Sequence, residues 1–260
     1  MDTTIRPTNP STTKHLVGNT VASRLFQTPP ILWKGDIGEA KAQQELMESY
    51  INLAPLNKSL TLIAGADISC NKNSPVIYAG IVVLNAETLE IIERASVITE
   101  TAFPYIPGYL SFREVPALLQ AWQKLSTKPD AVMLDGHGVM HPRKVGVATH
   151  FGLAANVATL GCAKKRLIGR FDDPAPAQDS VTELTYQGEM RGYVYRSRAG
   201  IKPIFISPGT GMNYEDALSI TRQTCAGYRL PEPTRLAHQY VNEIRVAHGE
   251  NLPTNNKGSA

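Results

Sequence analysis

Three acidic residues are spaced along the chain as the ligands of a hard metal ion could be. Asp67 follows an apolar run that begins at Leu60, and Asp135 follows the apolar run of residues 131–134. Glu114 lies between them, shortly after a loop with two prolines. Carboxylates at the ends of buried strands are costly to desolvate unless a cation or hydrogen bonds compensate their charge. If the three side chains converge, they favour a hard cation such as Mg²⁺, which prefers oxygen ligands.

The elements that must position these carboxylates are predicted to form a mixed α/β sheet with helices on its faces. Three strands in a meander come before a helix, a buried strand and a further helix, and this order is similar to the ribonuclease H architecture. In that arrangement Asp67 and Asp135 follow neighbouring strands. We predict strands over residues 60–69, 76–84, 90–99, 131–134 and 203–206, and a hairpin over 184–196 that turns at Gln187-Gly188. We predict helices over residues 37–53, 112–125, 147–160 and 214–226, and a last helix from Thr234. Asp36 and Asn213 are the predicted N-caps of the first and fourth helices, and Gly227 follows the fourth.

The composition is that of an ordinary globular protein and does not identify a partner by itself. The chain has 260 residues, 26 Lys and Arg, 23 Asp and Glu, and a formal net charge of +3. That charge is too small to prove nucleic-acid binding, but Arg143-Lys144 and Lys164-Lys165-Arg166 place local positive charge near the acidic residues in sequence. Such a patch would attract phosphates, although a solvated surface is an equally good interpretation.

The organisation of the chain is predicted from its termini and cysteines. Residues 1–30 are rich in Thr, Ser and Pro and predict a disordered leader, residues 31–247 a single catalytic domain, and residues 248–260 a flexible tail. Three widely spaced cysteines form no metal motif and no evident disulfide framework, which favours a reducing compartment. No apolar run approaches the roughly 20 residues that span a bilayer. We therefore expect a cytoplasmic monomer without a membrane partner.

Seven short motifs, taken together and in order, carry a resemblance to the endonuclease V family, whose members nick nucleic acid next to inosine. The resemblance covers roughly residues 35–245. Each motif is short, whereas their combination is highly specific. The motifs are Gly65-Ala-Asp-Ile-Ser69, Phe103-Pro-Tyr-Ile-Pro-Gly108, Phe112-Arg-Glu114, Asp135-Gly-His-Gly-Val-Met-His-Pro-Arg143, Ala163-Lys164, Ser207-Pro-Gly209 and Leu230-Pro-Glu-Pro-Thr-Arg235.

The resemblance implies a Mg²⁺ centre, at which Mn²⁺ would substitute. It makes Asp67 and Asp135 direct ligands, gives Glu114 a role through water, and matches Lys164 to a lysine near the reactive strand. Glu114 has a structural alternative, since Ser111 and Glu114 fit a helix-capping box, although Pro116 weakens that reading. Asp67 and Asp135 taken alone would be ordinary turn residues.

The resemblance also implies two elements that handle the nucleic acid. The loop of residues 104–108, which we call the wedge loop, would enter the duplex at the lesion through Pro104, Tyr105, Ile106 and Pro107. Stacking of Tyr105 on a base would contribute about 1–3 kcal/mol. The alternative for Tyr105 is that it is a buried aromatic residue in a turn. The residues implied to line a pocket for the flipped base are Leu110, Gly136, Gly146, Val147 and Leu167. The alternative for Gly136 and Gly146 is that they are ordinary turn glycines.

The chain departs from the family pattern at Thr210, where the resemblance implies a histidine after Ser-Pro-Gly. A threonine cannot change charge near neutral pH as imidazole can. This departure predicts a weakened or differently tuned enzyme and makes Thr210 an outer contact of the site. His137 and His141 are two further candidates for contact with the metal-binding residues from outside, and the alternative for each is a purely local hydrogen bond.

The function implied is Mg²⁺-dependent cleavage of the second phosphodiester bond 3′ to inosine in DNA, which would serve the repair of deaminated adenine. Two alternatives stay open. One is an endonuclease acting mainly on inosine-containing RNA, and the other is an inosine-binding protein with weak cleavage because of Thr210.

Overall fold

An eight-stranded mixed sheet runs through the centre of the protein, in the strand order β3-β2-β1-β4-β5-β8-β7-β6. The computed structural model describes residues 37–71 and 74–249. The predicted leader, the predicted Asp36 cap and residues 250–260 lie outside them. The strands are β1 (Leu62–Ser69), β2 (Val76–Asn85), β3 (Ile91–Glu100), β4 (Ala131–Leu134), β5 (Ala158–Ala163), β6 (Ser180–Tyr186), β7 (Glu189–Arg196) and β8 (Ile204–Thr210).

Strand direction changes along the sheet, which confirms the predicted mixed architecture. β1, β4 and β5 are parallel neighbours, whereas β2 and β3 extend the sheet antiparallel on one side. On the other side β8, β7 and β6 are antiparallel. Because β1, β4 and β5 run the same way, the residues that follow them meet at one edge of the sheet.

Within the described residues, five helices cover the two faces of the sheet. Residues of α1, α2 and α3 pack with β1–β3 in one apolar core, and residues of α4 and α5 pack with β4, β5 and β8 in a second. None of the helices in the described ranges combines the length and apolar character needed to cross a bilayer. The helices are α1 (Gly38–Glu48), α2 (Leu110–Lys124), α3 (Val147–Ala155), α4 (Tyr214–Gln223) and α5 (Glu232–Ala247).

The prediction of one helix over 147–160 was wrong, because the segment contains both a helix and a central strand. Asn156 adopts a left-handed conformation (φ 53°) that ends α3. The following residues 158–163 form β5, and all but Ala158 are buried. A fully buried strand lacks the polar alternation that distinguishes it from a buried helix in sequence.

The predicted first helix was too long at its carboxyl end. α1 ends at Glu48, and the chain then turns away to dock on the end of β8. There the Asn52 carbonyl accepts a hydrogen bond of 2.7 Å from the Gly211 N–H. This contact replaces the further helical turn that the sequence predicts.

The hairpin turn and the helix N-cap predicted from local sequence are confirmed. Gln187 and Gly188 both have positive φ (54° and 81°) between β6 and β7, as a tight hairpin requires. Asn213 caps α4, and its side chain accepts a hydrogen bond of 2.8 Å from the Asp216 N–H. The Asp216 carboxylate returns the contact to the Asn213 N–H, which completes a capping box.

Candidate active site

Asp67 and Asp135 lie side by side because the strands before them are hydrogen-bonded neighbours. Ala66 of β1 stands opposite Leu134 of β4. The ladder continues one step, since the Asp135 N–H donates to the Ala66 carbonyl at 3.1 Å. Asp67 is the third residue from the end of β1, and its Oδ1 accepts a hydrogen bond of 2.8 Å from the Ile68 N–H. The sheet therefore holds both carboxylates at one edge.

His238 comes to the same edge from α5, the helix that crosses β1 and β2. Close approach of this helix depends on two glycines that have no side chain to keep it away. A Cβ on Gly65 would lie 1.7 Å from the Pro233 carbonyl oxygen, and one on Gly80 would lie 2.6 Å from Val241 Cγ1. The result is a contact of 2.7 Å between His238 Nδ1 and Asp67 Oδ2.

These three side chains form a group that could hold a metal ion. Asp67, Asp135 and His238 each offer one ligand atom, and the three atoms lie within 4.8 Å of one another. Burial of Asp67, together with the nearby charge of Asp135, raises the pKa of its carboxyl, although the hydrogen bond from His238 opposes this. Two adjacent carboxylates repel each other unless a cation lies between them, and the oxygen-rich donor set fits a divalent metal.

Glu114 faces the two aspartates from the first turns of α2. Desolvation raises the pKa of its carboxyl to about 8, with further contributions from the charges of Asp67 and Asp135. The capping-box alternative for Glu114 was wrong, because α2 begins at Leu110 and is preceded by Tyr109 without a side-chain cap. Ser111 lies inside the helix, and its buried hydroxyl has no hydrogen-bond partner in the described part of the chain.

Lys164 supplies the positive charge of the site. It directly follows β5, and its ammonium group donates a short hydrogen bond to Asp135 Oδ2. Its side chain is one-third exposed, which leaves the ammonium group accessible to a ligand. The Lys164 backbone is held by Arg229, which donates to the Lys164 carbonyl at 3.0 Å and to the Pro203 carbonyl at 3.0 Å.

Comparison with known proteins identifies the family to which this arrangement belongs. Residues 44–239 match the family described as Endonuclease V. The Endonuclease V of Gloeobacter violaceus is 46% identical over 188 residues, which cover 71% of this chain and 76% of that protein. This chain belongs to the endonuclease V family. Like the family, it is a nuclease that hydrolyses phosphodiester bonds.

Solved structures of endonuclease V share the fold. The Streptomyces avermitilis protein matches with a TM-score of 0.79 and 31% identity, covering 84% of this chain and 96% of its own. The catalytic domain of human Endonuclease V matches with a TM-score of 0.76 and 28% identity, covering 85% of this chain and 100% of its own. The predicted ribonuclease H-like sheet is thereby confirmed.

The wedge loop is anchored at both ends and exposed in the middle. Before it, Phe103 is buried, stacks on Phe112 at 5.7 Å, and its carbonyl accepts from Arg113 at 2.8 Å. At the tip the Tyr105 side chain is 71% exposed, which contradicts the alternative of a buried turn aromatic. The neighbouring Pro104 and Ile106 are half-buried and Pro107 is exposed.

The glycines of the predicted base pocket bring main-chain segments into close contact. A Cβ on Gly136 would lie 2.5 Å from Val147 Cγ1, and one on Gly146 would lie 2.1 Å from the His137 carbonyl oxygen. The segment 136–147, which we call the pocket loop, is thus folded tightly on itself. Leu110 is half-buried and Leu167 is 44% exposed, so both can reach a ligand, and their role in the pocket stays a prediction.

Both predicted outer-contact histidines hold backbone segments together instead of touching the carboxylates. His137 Nε2 lies 3.0 Å from the Lys165 carbonyl oxygen, and His141 Nε2 lies 3.0 Å from the Gly108 carbonyl oxygen. His141 Nδ1 accepts from the Arg143 N–H at 3.2 Å, so its Nε2 carries the proton. Burial lowers the pKa of each ring to about 4, which keeps both neutral at physiological pH.

The expectation that Thr210 belongs to the site was wrong. Thr210 stands opposite Thr159 near the start of β5, and Thr159 stands opposite Val132 near the start of β4. Asp135 follows the far end of β4, roughly 10 Å away along the strand. The buried Thr210 hydroxyl instead accepts a hydrogen bond of 3.1 Å from the Asn52 N–H. Thr210 therefore has a structural role.

Sequence reasoning missed His238, the histidine that the structure places at the site. The motif that ends at Arg235 was recognised, and the helix that carries it continues to Ala247. Residues three and seven positions apart share one helix face, so Arg235, His238 and Asn242 point the same way. This periodicity was the available signal, but nothing local showed that the face is turned toward Asp67.

Proposed function

We propose that this protein is a Mg²⁺-dependent endonuclease that recognises inosine in DNA and hydrolyses the second phosphodiester bond on its 3′ side. The observation that carries the proposal is the meeting of Asp67, Asp135 and His238 at one sheet edge, with Lys164 and Glu114 beside them. Membership of the endonuclease V family supports the substrate. The product would keep the lesion, as expected of an enzyme that starts repair of deaminated adenine.

The metal would be held by Asp67 and Asp135 with His238 as a third ligand. A bound divalent cation supplies an activated water, neutralises charge on the phosphoryl oxygens and stabilises the leaving oxygen. Two carboxylates suit Mg²⁺ and Mn²⁺, whereas imidazole nitrogen is a softer ligand. The donor set therefore supports Mn²⁺ as an effective substitute for Mg²⁺.

The remaining side chains have roles that follow from their charge and position. Lys164 neutralises Asp135 in the free protein and can turn its accessible ammonium group to a phosphate oxygen of the substrate. Glu114 has a pKa raised to about 8 in the metal-free site, and after a bound cation releases its proton the carboxylate is suited to accept a proton from the attacking water. Tyr105, exposed on a loop fixed at both ends, can stack on a base at the lesion.

The alternative of an inosine-binding protein with weak cleavage loses its basis, because it rested on Thr210. The site has a histidine, and that histidine is His238. No feature of the described residues distinguishes a preference for DNA from a preference for RNA, so only an assay on both substrates can decide the RNA alternative. The same assay therefore tests both.

The experiment is cleavage of end-labelled strands that carry one inosine, as matched DNA and RNA, with Mg²⁺ and with a chelator. We expect a single cut directly after the 3′ neighbour of inosine in DNA, at the second phosphodiester bond, and no cut when adenosine replaces inosine. Asp135→Ala should abolish cleavage, while Asp173→Ala, the same change at an exposed position, should not. Cutting of RNA but not DNA would establish the RNA alternative, and equal cutting of the adenosine strand would exclude inosine specificity.

Tyr105→Ala tests the wedge assignment separately. Loss of stacking worth about 1–3 kcal/mol should lower kcat/KM on an inosine duplex roughly 5- to 150-fold. Unchanged discrimination between inosine and adenosine duplexes would remove Tyr105 from the recognition step.

A further inference from the structure

Three side chains from two different segments converge on the Gly108 carbonyl, at the end of the wedge loop. Gln44 Nε2 donates to it at 2.9 Å, His141 Nε2 at 3.0 Å and an Arg143 Nη at 3.5 Å. Gly108 has a positive φ of 81°, a conformation that other residues rarely adopt. The backbone therefore changes direction at this point and is fixed there from outside the loop.

Gln44 contacts both loops from a third segment, α1, and so supports the direct contacts that His141 and Arg143 make with this carbonyl. It lies on α1 and is completely buried, which is unusual for a glutamine unless its polar atoms are satisfied. Its Nε2 also lies 3.5 Å from the Val145 carbonyl oxygen, and its Oε1 accepts from Arg143 Nε at 2.5 Å. One amide thus contacts the wedge loop on one side and the pocket loop on the other.

Arg143 extends the same connection to the start of α2. Its guanidinium carbon lies 4.7 Å from the centre of the Tyr109 ring, next to Gly108 in sequence. The contacts of Gln44 and Arg143 therefore fix the carboxyl end of the wedge loop, while Tyr105 at its tip is exposed. Such an arrangement orients a loop without touching what the loop contacts.

We propose that Gln44 is a positioning residue that holds the wedge loop and the pocket loop in one fixed arrangement for opening an inosine-containing duplex. The inference rests on the proposed function. Entry of the wedge and capture of the flipped base must happen together, because unstacking costs a few kcal/mol and is repaid only when the base is bound. A fixed distance between the two loops removes the cost of ordering them at that moment.

This role predicts a loss that depends on the state of the substrate. A single strand needs no unpairing, so its inosine can reach the pocket without the wedge. A duplex requires both loops in register, and a displacement of about 1 Å can cost about 100-fold in rate. Loss of the Gln44 contacts should therefore impair cleavage of the duplex much more than cleavage of the single strand.

The experiment compares kcat/KM on one inosine strand, alone and annealed to its complement, with Mg²⁺ present. Gln44→Met keeps the length of the side chain and removes all its hydrogen bonds. We expect kcat/KM on the duplex to fall about 10- to 100-fold, and on the single strand by less than about threefold. Gln44→Glu keeps the acceptor for Arg143 but cannot donate to Gly108, and should show the same duplex-specific loss.

Controls separate positioning from folding. Gln120→Met makes the same change at an exposed position of α2 and should leave both rates unchanged. Equal losses of Gln44→Glu on both substrates, or no loss on either, would overturn the inference, and this variant decides the question if Gln44→Met fails to fold. Failure of the wild-type protein to cut any inosine strand would overturn the proposed function and the inference with it.

Discussion

Glu114 should bind a proton in the metal-free protein at neutral pH and release it when a divalent cation binds. Its carboxyl has a pKa of about 8, because it is desolvated and faces Asp67 and Asp135. At pH 7 a group with this pKa is protonated in roughly nine molecules out of ten. A cation between the aspartates removes their repulsion and stabilises the ionised carboxylate. Binding should therefore release about 0.9 proton from Glu114 at pH 7.

The proton count can be measured by isothermal titration of Mn²⁺ in buffers of different ionisation enthalpy. Glu114→Gln cannot ionise, so it should release about 0.9 proton fewer than the wild type at pH 7, and only about 0.1 fewer at pH 9. Glu87→Gln, the same change at an exposed site, should match the wild type. Equal proton release by wild type and Glu114→Gln at pH 7 would refute the proposed electrostatics of the site.

The same pKa determines how pH affects the stability of the metal-free protein. The folded state binds the Glu114 proton more tightly than the unfolded state, whose carboxyl has an ordinary pKa of 4.5. The contribution of Glu114 to stability should therefore decrease as pH rises from about 4.5 to about 8, and Glu114→Gln should remove this contribution from the pH profile. A variant whose stability follows the wild-type pH profile over this range would contradict the raised pKa.

Three further predictions follow from the surrounding structure. Because burial lowers the pKa of three histidines to about 4 or below, the contribution of each histidine to stability should fall as pH drops from about 6.5 to 4, by up to about 1.4 kcal/mol per pH unit. In urea unfolding, His150→Phe should remove one of these three contributions from the pH profile, and an unchanged profile would contradict it. Lys164→Met should lower the single-turnover cleavage rate about 10²- to 10³-fold with little change in the affinity for the inosine strand. Lys165→Met should leave the rate unchanged, and equal effects of the two substitutions would argue against a specific role for Lys164. Thr210→Val removes the acceptor of the partly buried Asn52 N–H, so it should cost about 1 kcal/mol of stability in urea unfolding without altering cleavage, and a large loss of rate would contradict its position.

Sequence was sufficient for the parts of the fold that have a local signal. The meander of β1–β3, the buried β4, the Asn213 cap and the Gln187-Gly188 hairpin are all encoded by residues close together in the chain. β5 was not predictable in this way, because a strand buried on both faces and a buried helix have the same apolar pattern. The end of α1 depends on a contact with β8, more than 150 residues away.

The site shows the same division between local and distant information. Asp67 lies near the end of β1 and Asp135 directly follows β4, so motifs at predicted strand ends were enough to find them. Lys164 follows β5, which was not predicted, and it was found only through its match to a family lysine. His238 required knowledge of how closely α5 approaches β1, which Gly65 permits but does not dictate. Thr210 was misplaced because proximity to a motif in sequence does not say at which end of a strand a residue lies.

The central claim is that one divalent cation lies between Asp67, Asp135 and His238. Anomalous diffraction from crystals soaked in Mn²⁺ tests it most directly. We predict an anomalous peak within about 2.0–2.4 Å of one oxygen from each aspartate and of a His238 ring nitrogen, with Glu114 close enough to share a water. A peak elsewhere on the protein, or a Mn²⁺ ion at this edge that His238 does not contact, would contradict the account.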